Sequence, residues 1–369
     1  MKILFLITGL GMGGAERQVC DLADRFVILG HQVLLISMTG EIVNRPLSTA
    51  VDVIALHIDK TPQGFIRGYW KTRQLIKKFK PDVMHSHMFH ANLFARLLRL
   101  TVRLPALICT AHSSNEGGSV RMLAYRLTDK LCDFNTNVSQ EAADISVKRG
   151  AVSQHRIMAV HNGIDTIRFS FNQSSRSRAR AELGLDDNVS LLLAVGRLTA
   201  AKDYPNLLSA FAKLTTNFRM AHLAIIGIGE EQDKLVSLVA ALGLKEKVSF
   251  LGLRRDVSDW MSAADLFVLS SAWEGFGLVV AEAMACERVV VATDCGGVKE
   301  VLGGAGILVP AKNSEALSAA ISQALSLDPI TARKLGAQAR EHVIQNYSLD
   351  TVAAKWIDLY KRQSLDATI

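Results

Sequence analysis

At 369 residues the chain can hold two domains with full cores, and 49% hydrophobic against 21% charged residues makes it globular rather than disordered. Its formal net charge of +7 is unevenly spread: residues 1–167 carry 20 Lys+Arg against 13 Asp+Glu, whereas residues 168–369 carry 22 of each, so a basic face is expected on the first half. The five cysteines (Cys20, Cys109, Cys132, Cys286, Cys295) are odd in number, scattered and in no Cys-x-x-Cys pair, which argues against a disulfide framework or a zinc site and suits a reducing compartment. The first ten residues, MKILFLITGL, have the apolar density of a signal segment, but a glycine-rich turn and Glu16 follow where a cleavage site would stand. They read as a first β-strand, residues 2–8. Further strand-like runs fall at 32–38, 51–58, 82–87, 106–111, 134–138 and 156–161. Most are continuously apolar, as in a parallel sheet covered on both faces, and their spacing leaves room for crossover helices. Residues 1–168 therefore form a first domain. Residues 169–188 begin with a polar stretch, Phe169 to Arg180, that reads as a linker. The strand pattern restarts at 190–195, 222–227, 248–251, 266–270, 289–292 and 306–309, giving a second domain over 189–348. The tail, 349–369, reads as a helix able to pack back toward the first domain. Two successive doubly wound α/β domains follow, with ligands expected at the carboxyl ends of the strands and a cleft between two such ends. No run reaches the roughly 18 apolar residues that span a bilayer.

The residues with chemistry lie mostly at these strand ends. Gly9, Gly11 and Gly14 satisfy Gly-x-Gly-x-x-Gly, and the loop through Gly13 and Gly14 would let a phosphate approach the backbone. A dinucleotide would also need an acidic residue after the next strand, and Gln32–Ser37 ends without one. Arg197 and Lys202 follow the first strand of the second domain, where two cations could neutralise a diphosphate; a solvated surface pair is the plainer alternative. Gly227-Ile-Gly229 is a nucleotide contact or a tight turn. His85, His87 and His90 have metal-ligand spacing, but no nearby carboxylate or cysteine completes a site, and no Asp-x-Asp pair occurs to hold a divalent cation. His112 also ends a strand. Glu274 and Glu282 stand eight positions apart in Glu-Gly-Phe-Gly-Leu-Val-Val-Ala-Glu. A helix starting near Gly277 puts Glu282 on an apolar stripe with Leu278, Ala281 and Ala285. A carboxylate there needs a partner, either a buried ion pair or the hydroxyls of a sugar.

Two segments account for the basic half. One holds Trp70, Lys71, Arg73, Lys77, Lys78 and Lys80; the other holds Arg96, Arg99 and Arg103. On helices, each mixes aromatic or aliphatic groups with cations in the manner of a contact with an anionic membrane surface, the alternative being a core-facing helix with a charged edge. Nucleic acid is not expected, because no recognised reader motif is present.

In order, these motifs resemble the retaining, nucleotide-sugar-dependent glycosyltransferases of family 4. The resemblance rests on the Gly13-Gly14-Ala15-Glu16 loop, Val160-His161-Asn162-Gly163-Ile164-Asp165, Gly196-Arg197 with Lys202, the Glu274–Glu282 element, and Gly296-Gly297-Val298-Lys299-Glu300. It implies a GT-B architecture: two Rossmann-like, doubly wound parallel-sheet domains facing across a deep cleft, the second binding the donor and the first the acceptor. By that resemblance Arg197 and Lys202 hold the donor diphosphate, Glu282 accepts from ribose hydroxyls, and Glu274 attends the transferred sugar. Backbone amides of Phe276, Gly277, Leu278 and Val279 lie near sugar and phosphate, His112 contacts the sugar, and Gly13 and Gly14 approach the phosphates. His161 stands where the family often has Pro, Ser270-Ser271 where it often has Pro-Ser, and Asp203 where Gly is frequent. Within the family the chain is most similar to bacterial enzymes building surface polysaccharides (O-antigen, capsule, lipopolysaccharide). The expected enzyme transfers a hexose or N-acetylhexosamine, with retention and without metal, from a nucleotide sugar, UDP-linked by family habit, to a lipid-linked glycan. The nucleotide sugar is a substrate and no cofactor is implied. The expected location is cytoplasmic, peripheral on the inner face of the membrane. The competing functions are a nucleotide-sugar epimerase of the same fold and a non-catalytic membrane-associated binding protein.

Overall fold

The computed structural model describes residues 1–113 and 117–366; residues 114–116 and 367–369, parts of the expected first domain and tail, lie outside it. The chain divides into two compact units. Residues 1–163 and the helix Leu349–Asp366 belong to the first, and Ile164–Ser348 form the second.

The first unit has seven strands: β1 (Lys2–Gly9), β2 (Gln32–Thr39), β3 (Asp52–Ala55), β4 (Val83–His87), β5 (Leu107–Ala111), β6 (Phe134–Asn137) and β7 (Ile157–Ala159). All pair in parallel, in the order β3-β2-β1-β4-β5-β6-β7. In β1 the side chains alternate between two buried faces, which explains the unbroken apolar run. Ile3, Phe5 and Ile7 pack with Phe26 of helix Gly14–Ile28 and with Trp356 and Tyr360 of helix Leu349–Asp366. Leu4 and Leu6 pack with Ile76, Phe94 and Leu98 of helices Pro62–Phe79 and Phe89–Leu98. Each fully buried side chain of this size contributes roughly 1.5–3 kcal/mol. Helix Pro62–Phe79 starts where Thr61 Oγ1 accepts from Gly64 N at 3.0 Å, has Pro62 in its first turn, and ends at Lys80, which has φ +52°.

The second unit has six parallel strands: β8 (Ser190–Val195), β9 (Ala221–Ile226), β10 (Val248–Phe250), β11 (Leu266–Leu269), β12 (Val289–Asp294) and β13 (Ile307–Pro310). Their order is β10-β9-β8-β11-β12-β13. The chain thus winds outward from β8 in one direction and from β11 in the other, which makes the β8/β11 boundary a topological switch point. Leu192, Leu207, Phe211, Leu223, Val268 and Ile321 lie in the core on one face of this sheet.

The expected linker over 169–188 is a correction. It contains the helix Gln173–Glu182, capped by Asn172 Oδ1 accepting from Ser175 N at 2.9 Å, and it is part of the second unit. Its polar composition misleads because its arginines make the buried contacts. Arg176 Nη2 and Arg180 Nη1 reach the two carboxylate oxygens of Asp265 at 2.7 and 3.2 Å. Arg180 also donates to the carbonyls of Asp186 and Val189. The second unit closes on itself where Ile164 N donates to Tyr347 O at 2.7 Å.

Candidate active site

Four loops meet at the carboxyl ends of β8, β9, β11 and β12, and glycines set their spacing. A Cβ on Gly227 would lie 1.9 Å from the Gly196 carbonyl oxygen, and one on Gly229 would lie 2.3 Å from that of Leu198. The Gly227-Ile228-Gly229 turn therefore exists to let two backbones touch. Gly296, at φ +55°, brings the loop after β12 against the loop after β11; a Cβ there would lie 2.0 Å from the Glu274 carbonyl oxygen. Ala272 N donates to Ala201 O at 2.8 Å, and Ser270 Oγ donates to Lys202 O at 2.8 Å. These bonds tie the β11 loop to the β8 loop across the switch point.

The result is an ion pair between Lys202 Nζ and Glu274 Oε1 at 2.5 Å, with the side chains 19% and 13% exposed. Ser271 Oγ donates to the same carboxylate oxygen at 2.7 Å, and Thr293 Oγ1 donates to Ser271 O at 2.7 Å. The methylene stem of Lys202 lies over Gly196, where a Cβ would meet its Cε at 2.8 Å. Tyr204 packs below, its hydroxyl donating to Gly196 O at 3.0 Å. Burial, and then the Glu274 charge, push that hydroxyl above the ordinary tyrosine range. Arg197, on the same loop as Lys202, is exposed. Lys202 and Glu274, expected in one donor site but on different parts of the donor, are directly paired; Ser271, noted in the sequence only as a family departure, is the third member of the unit.

Glu282 lies on the eight-residue helix Leu278–Ala285, which begins at Gly277 with φ +92° and has no side-chain cap. Its first amides carry the positive end of the helix dipole and are not met by a cap side chain. Val280, Ala281, Ala283, Met284 and Ala285 are buried, while Leu278, Val279 and Glu282 are half-buried. The apolar stripe expected for Glu282 is therefore corrected: Ala281 and Ala285 face the core, and Glu282 shares the more open face with Leu278 and Val279. Phe276 is buried, its ring edge-on to Tyr347 at 5.5 Å. Trp273, next to Glu274, is an exposed aromatic that spacing alone did not single out.

In the first unit, the loop through Gly13 and Gly14 follows β1 and opens the helix Gly14–Ile28. The Glu16 carboxylate sits against Gly13, where a Cβ would meet Oε2 at 2.3 Å. His85 and His87 are buried on β4 with rings 4.0 Å apart. His85 is bonded to the Tyr360 hydroxyl at 2.6 Å and to Thr110 Oγ1 at 2.5 Å, while His87 Nδ1 is 3.0 Å from His112 Nε2. Burial lowers all three: His85 and His87 well below the usual histidine range, His112 to about 4. Three neutral imidazoles are thereby packed together. His90 is exposed on the next helix. Among the described residues no group of three or more His, Cys, Asp or Glu is arranged to hold a metal ion.

Of the expected membrane-facing residues, Trp70, Lys71, Lys77, Lys78, Lys80 and Arg103 are exposed. Arg73 lies over the Trp70 ring at 5.1 Å and donates to Thr101 O. Arg99 is paired with Asp133 at 2.5 Å. Arg96 is a correction: it is 1% exposed and donates to Tyr125 O, Thr128 Oγ1 and Asn135 Oδ1. It is buried with Asn92 and Ala95 on helix Phe89–Leu98, where three acceptors hold it. No described helix is long and apolar enough to cross a membrane.

Two parallel-sheet units of this topology, each with loops gathered at strand carboxyl ends, make the GT-B fold. Residues 12–168 match the family described as Glycosyltransferase Family 4, and residues 175–342 the one described as Glycosyl transferases group 1. An uncharacterized glycosyltransferase of Methanocaldococcus jannaschii is 26% identical over 372 residues, 95% of this chain and 94% of that protein. The N-acetylgalactosamine-N,N'-diacetylbacillosaminyl-diphospho-undecaprenol 4-alpha-N-acetylgalactosaminyltransferase of Campylobacter jejuni is 27% identical over 378 residues, 96% of this chain and 99% of that protein. Anabaena HepE, solved in complex with UDP and glucose, superposes with a TM-score of 0.87 at 23% identity, over 98% of this chain and 100% of that one. The chain belongs to the GT-B glycosyltransferases of family 4.

Proposed function

We propose that the enzyme transfers a hexose or N-acetylhexosamine, with retention and without a metal ion, from a UDP-sugar to a lipid-linked bacterial surface glycan. It works as a peripheral protein on the inner face of the cytoplasmic membrane. The observation that carries the donor side is the Lys202–Glu274 pair at the β8/β11 switch point. Breaking a sugar–phosphate bond places growing negative charge on the leaving diphosphate. Lys202 and Arg197 stabilise that charge, aided by the uncapped amide end of helix Leu278–Ala285. Glu274, with Ser271, attends the transferred sugar and keeps the Lys202 ammonium aimed. Glu282 takes the ribose hydroxyls, and the backbone from Phe276 to Val279 lies along sugar and phosphate. Retention follows from attack by the acceptor hydroxyl on the face the diphosphate leaves. UDP in the Anabaena complex and the diphospho-undecaprenol in the Campylobacter relative's name support the donor and acceptor classes.

The test is a transfer assay with a panel of nucleotide sugars and an undecaprenyl-diphosphate-linked sugar, run with and without excess chelator. Acceptor-dependent product with the donor's anomeric configuration, unchanged by chelator, is the expected result. Product without acceptor would make the enzyme an epimerase. An inverted anomer or loss of turnover in chelator would defeat the retaining or the metal-free part.

A further inference from the structure

The positive surplus of the first half resolves onto one side of the first sheet. Helices Pro62–Phe79 and Phe89–Leu98 cover the Leu4/Leu6 face, and helix Ser119–Thr128 packs beside the second of them through Phe89 and Tyr125, whose ring centroids are 5.1 Å apart. These three helices contain Arg67, Lys71, Arg73, Lys77, Lys78, Arg96, Arg121 and Arg126 and not one Asp or Glu. The helices on the opposite face, Gly14–Ile28 and Leu349–Asp366, each carry three acidic residues. Charge is thus sorted by sheet face.

The same three helices leave apolar side chains in solvent. Ile66 and Trp70 are 55% and 50% exposed on the first helix, and Leu100 is 64% exposed just past the second. Helix Ser119–Thr128 exposes Val120 at 79%, Leu123 at 53% and Leu127 at 75%. Their spacing of three and four residues stacks them on one side of the helix, opposite buried Tyr125. Contiguous apolar exposure rimmed by a single sign of charge marks an interaction surface. An apolar stripe on helices that carry cations and no carboxylate is complementary to an anionic lipid surface, which offers both an acyl boundary and negative headgroups.

We propose that helix Ser119–Thr128 is the element that enters the bilayer, through Val120, Leu123 and Leu127, with Arg126 on the same helix and the exposed cations of helix Pro62–Phe79, Lys71 among them, meeting anionic headgroups. This rests on the peripheral-membrane part of the reading above and names the docking element. It moves the insertion point away from the lysine-rich end of helix Pro62–Phe79.

The test uses the full chain with vesicles of phosphatidylcholine alone or with phosphatidylglycerol at about three to one. Wild type sediments with the anionic vesicles and not the neutral ones. The double variant Leu123→Glu/Leu127→Glu loses about ten-fold or more of that partition, since two leucines leave the acyl boundary and two carboxylates face the headgroups. In a second measurement, Leu123→Cys carries an environment-sensitive dye. Labelling is selective because all five native cysteines are buried. The dye brightens with anionic vesicles, while the same dye at Ile330→Cys, 76% exposed in the second unit, does not. If wild type binds anionic vesicles but neither measurement responds, the docking helix is wrong and the membrane reading stands. If wild type binds no vesicle, both fall, while sugar transfer to a short-chain acceptor remains testable. Lipid-independent self-association reversed by Leu123→Glu/Leu127→Glu would assign the stripe to a second copy of the chain and overturn the proposal.

Discussion

Lys202→Met removes one charge and little else. The methylene stem that lies over Gly196 is kept, and Glu274 retains the hydrogen bond from Ser271 Oγ at 2.7 Å. What is lost is the ammonium 2.5 Å from the Glu274 carboxylate and, in the proposed reaction, its second bond to the leaving diphosphate. Two unit charges about 4 Å apart interact by about 4 kcal/mol at the effective dielectric of a protein surface. Loss of one preorganised charge stabiliser in an active site is worth about 2.7–4 kcal/mol, or about 10²–10³ in turnover. Folding loses less, about 1–3 kcal/mol, because Glu274 keeps its bond from Ser271 Oγ when the ammonium goes. The assay is steady-state release of nucleoside diphosphate with saturating acceptor, beside a thermal melt. The expected signature is a fall in kcat of two to three orders of magnitude, with a modest fall in Tm. A kcat/KM within about threefold of wild type, in a folded variant, would refute the placement of Lys202 on the diphosphate.

Gly296→Ala combines a positive φ with a Cβ 2.0 Å from the Glu274 carbonyl oxygen; it is expected to cost about 2–4 kcal/mol of stability and most of the activity, read by denaturant unfolding and rate. Arg180→Ala strips Asp265 of a nearly buried partner and removes a donor from the carbonyls of Asp186 and Val189. A loss of about 3 kcal/mol and earlier proteolysis between 170 and 190 are expected; unchanged proteolysis would restore the linker reading. Folding stability falls as pH drops below about 6.5, because unfolded histidines then bind protons that His85, His87 and His112 refuse until well below that, His112 until about 4. The slope in that window is up to about 1.4 kcal/mol per pH unit for each of the three, and equal stability at pH 7.5 and 5 would contradict the buried neutral cluster.

The strands were the most legible part of the chain. All thirteen expected runs contain strands, most of them because the inner strands of both sheets are buried on both faces and an unbroken apolar run has few other uses. The helix Gln173–Glu182 was hidden by its arginines, whose partners lie about 85 residues away at Asp265; nothing local announces a contact of that range. The site was legible as residue types but not as pairings. Lys202 and Glu274 are 72 residues apart, and only the parallel neighbours β8 and β11 bring them together. Arg96 failed in the opposite way. A cation in a mixed aromatic run reads as surface, and three acceptors on Tyr125, Thr128 and Asn135 make it core. The exposed apolar stripe on helix Ser119–Thr128 was missed because Val120, Leu123 and Leu127 look like core until their exposure is seen.

The first unit borrows its last helix from beyond the second. Trp356 and Tyr360 fill the Ile3/Phe5/Ile7 face, and Tyr360 holds His85 at 2.6 Å. The order of synthesis and the order of completion are therefore reversed. The second unit is one continuous stretch and can finish its core as soon as Ser348 is made. The first unit, though made earlier, keeps an open apolar face until residues 349–366 arrive. During that interval the nascent chain exposes the part of that sheet side which Trp356 and Tyr360 later fill, a state that invites chaperone capture or aggregation. Shortening the chain before Trp356 would make that transient state permanent, damaging the half of the protein farthest from the cut.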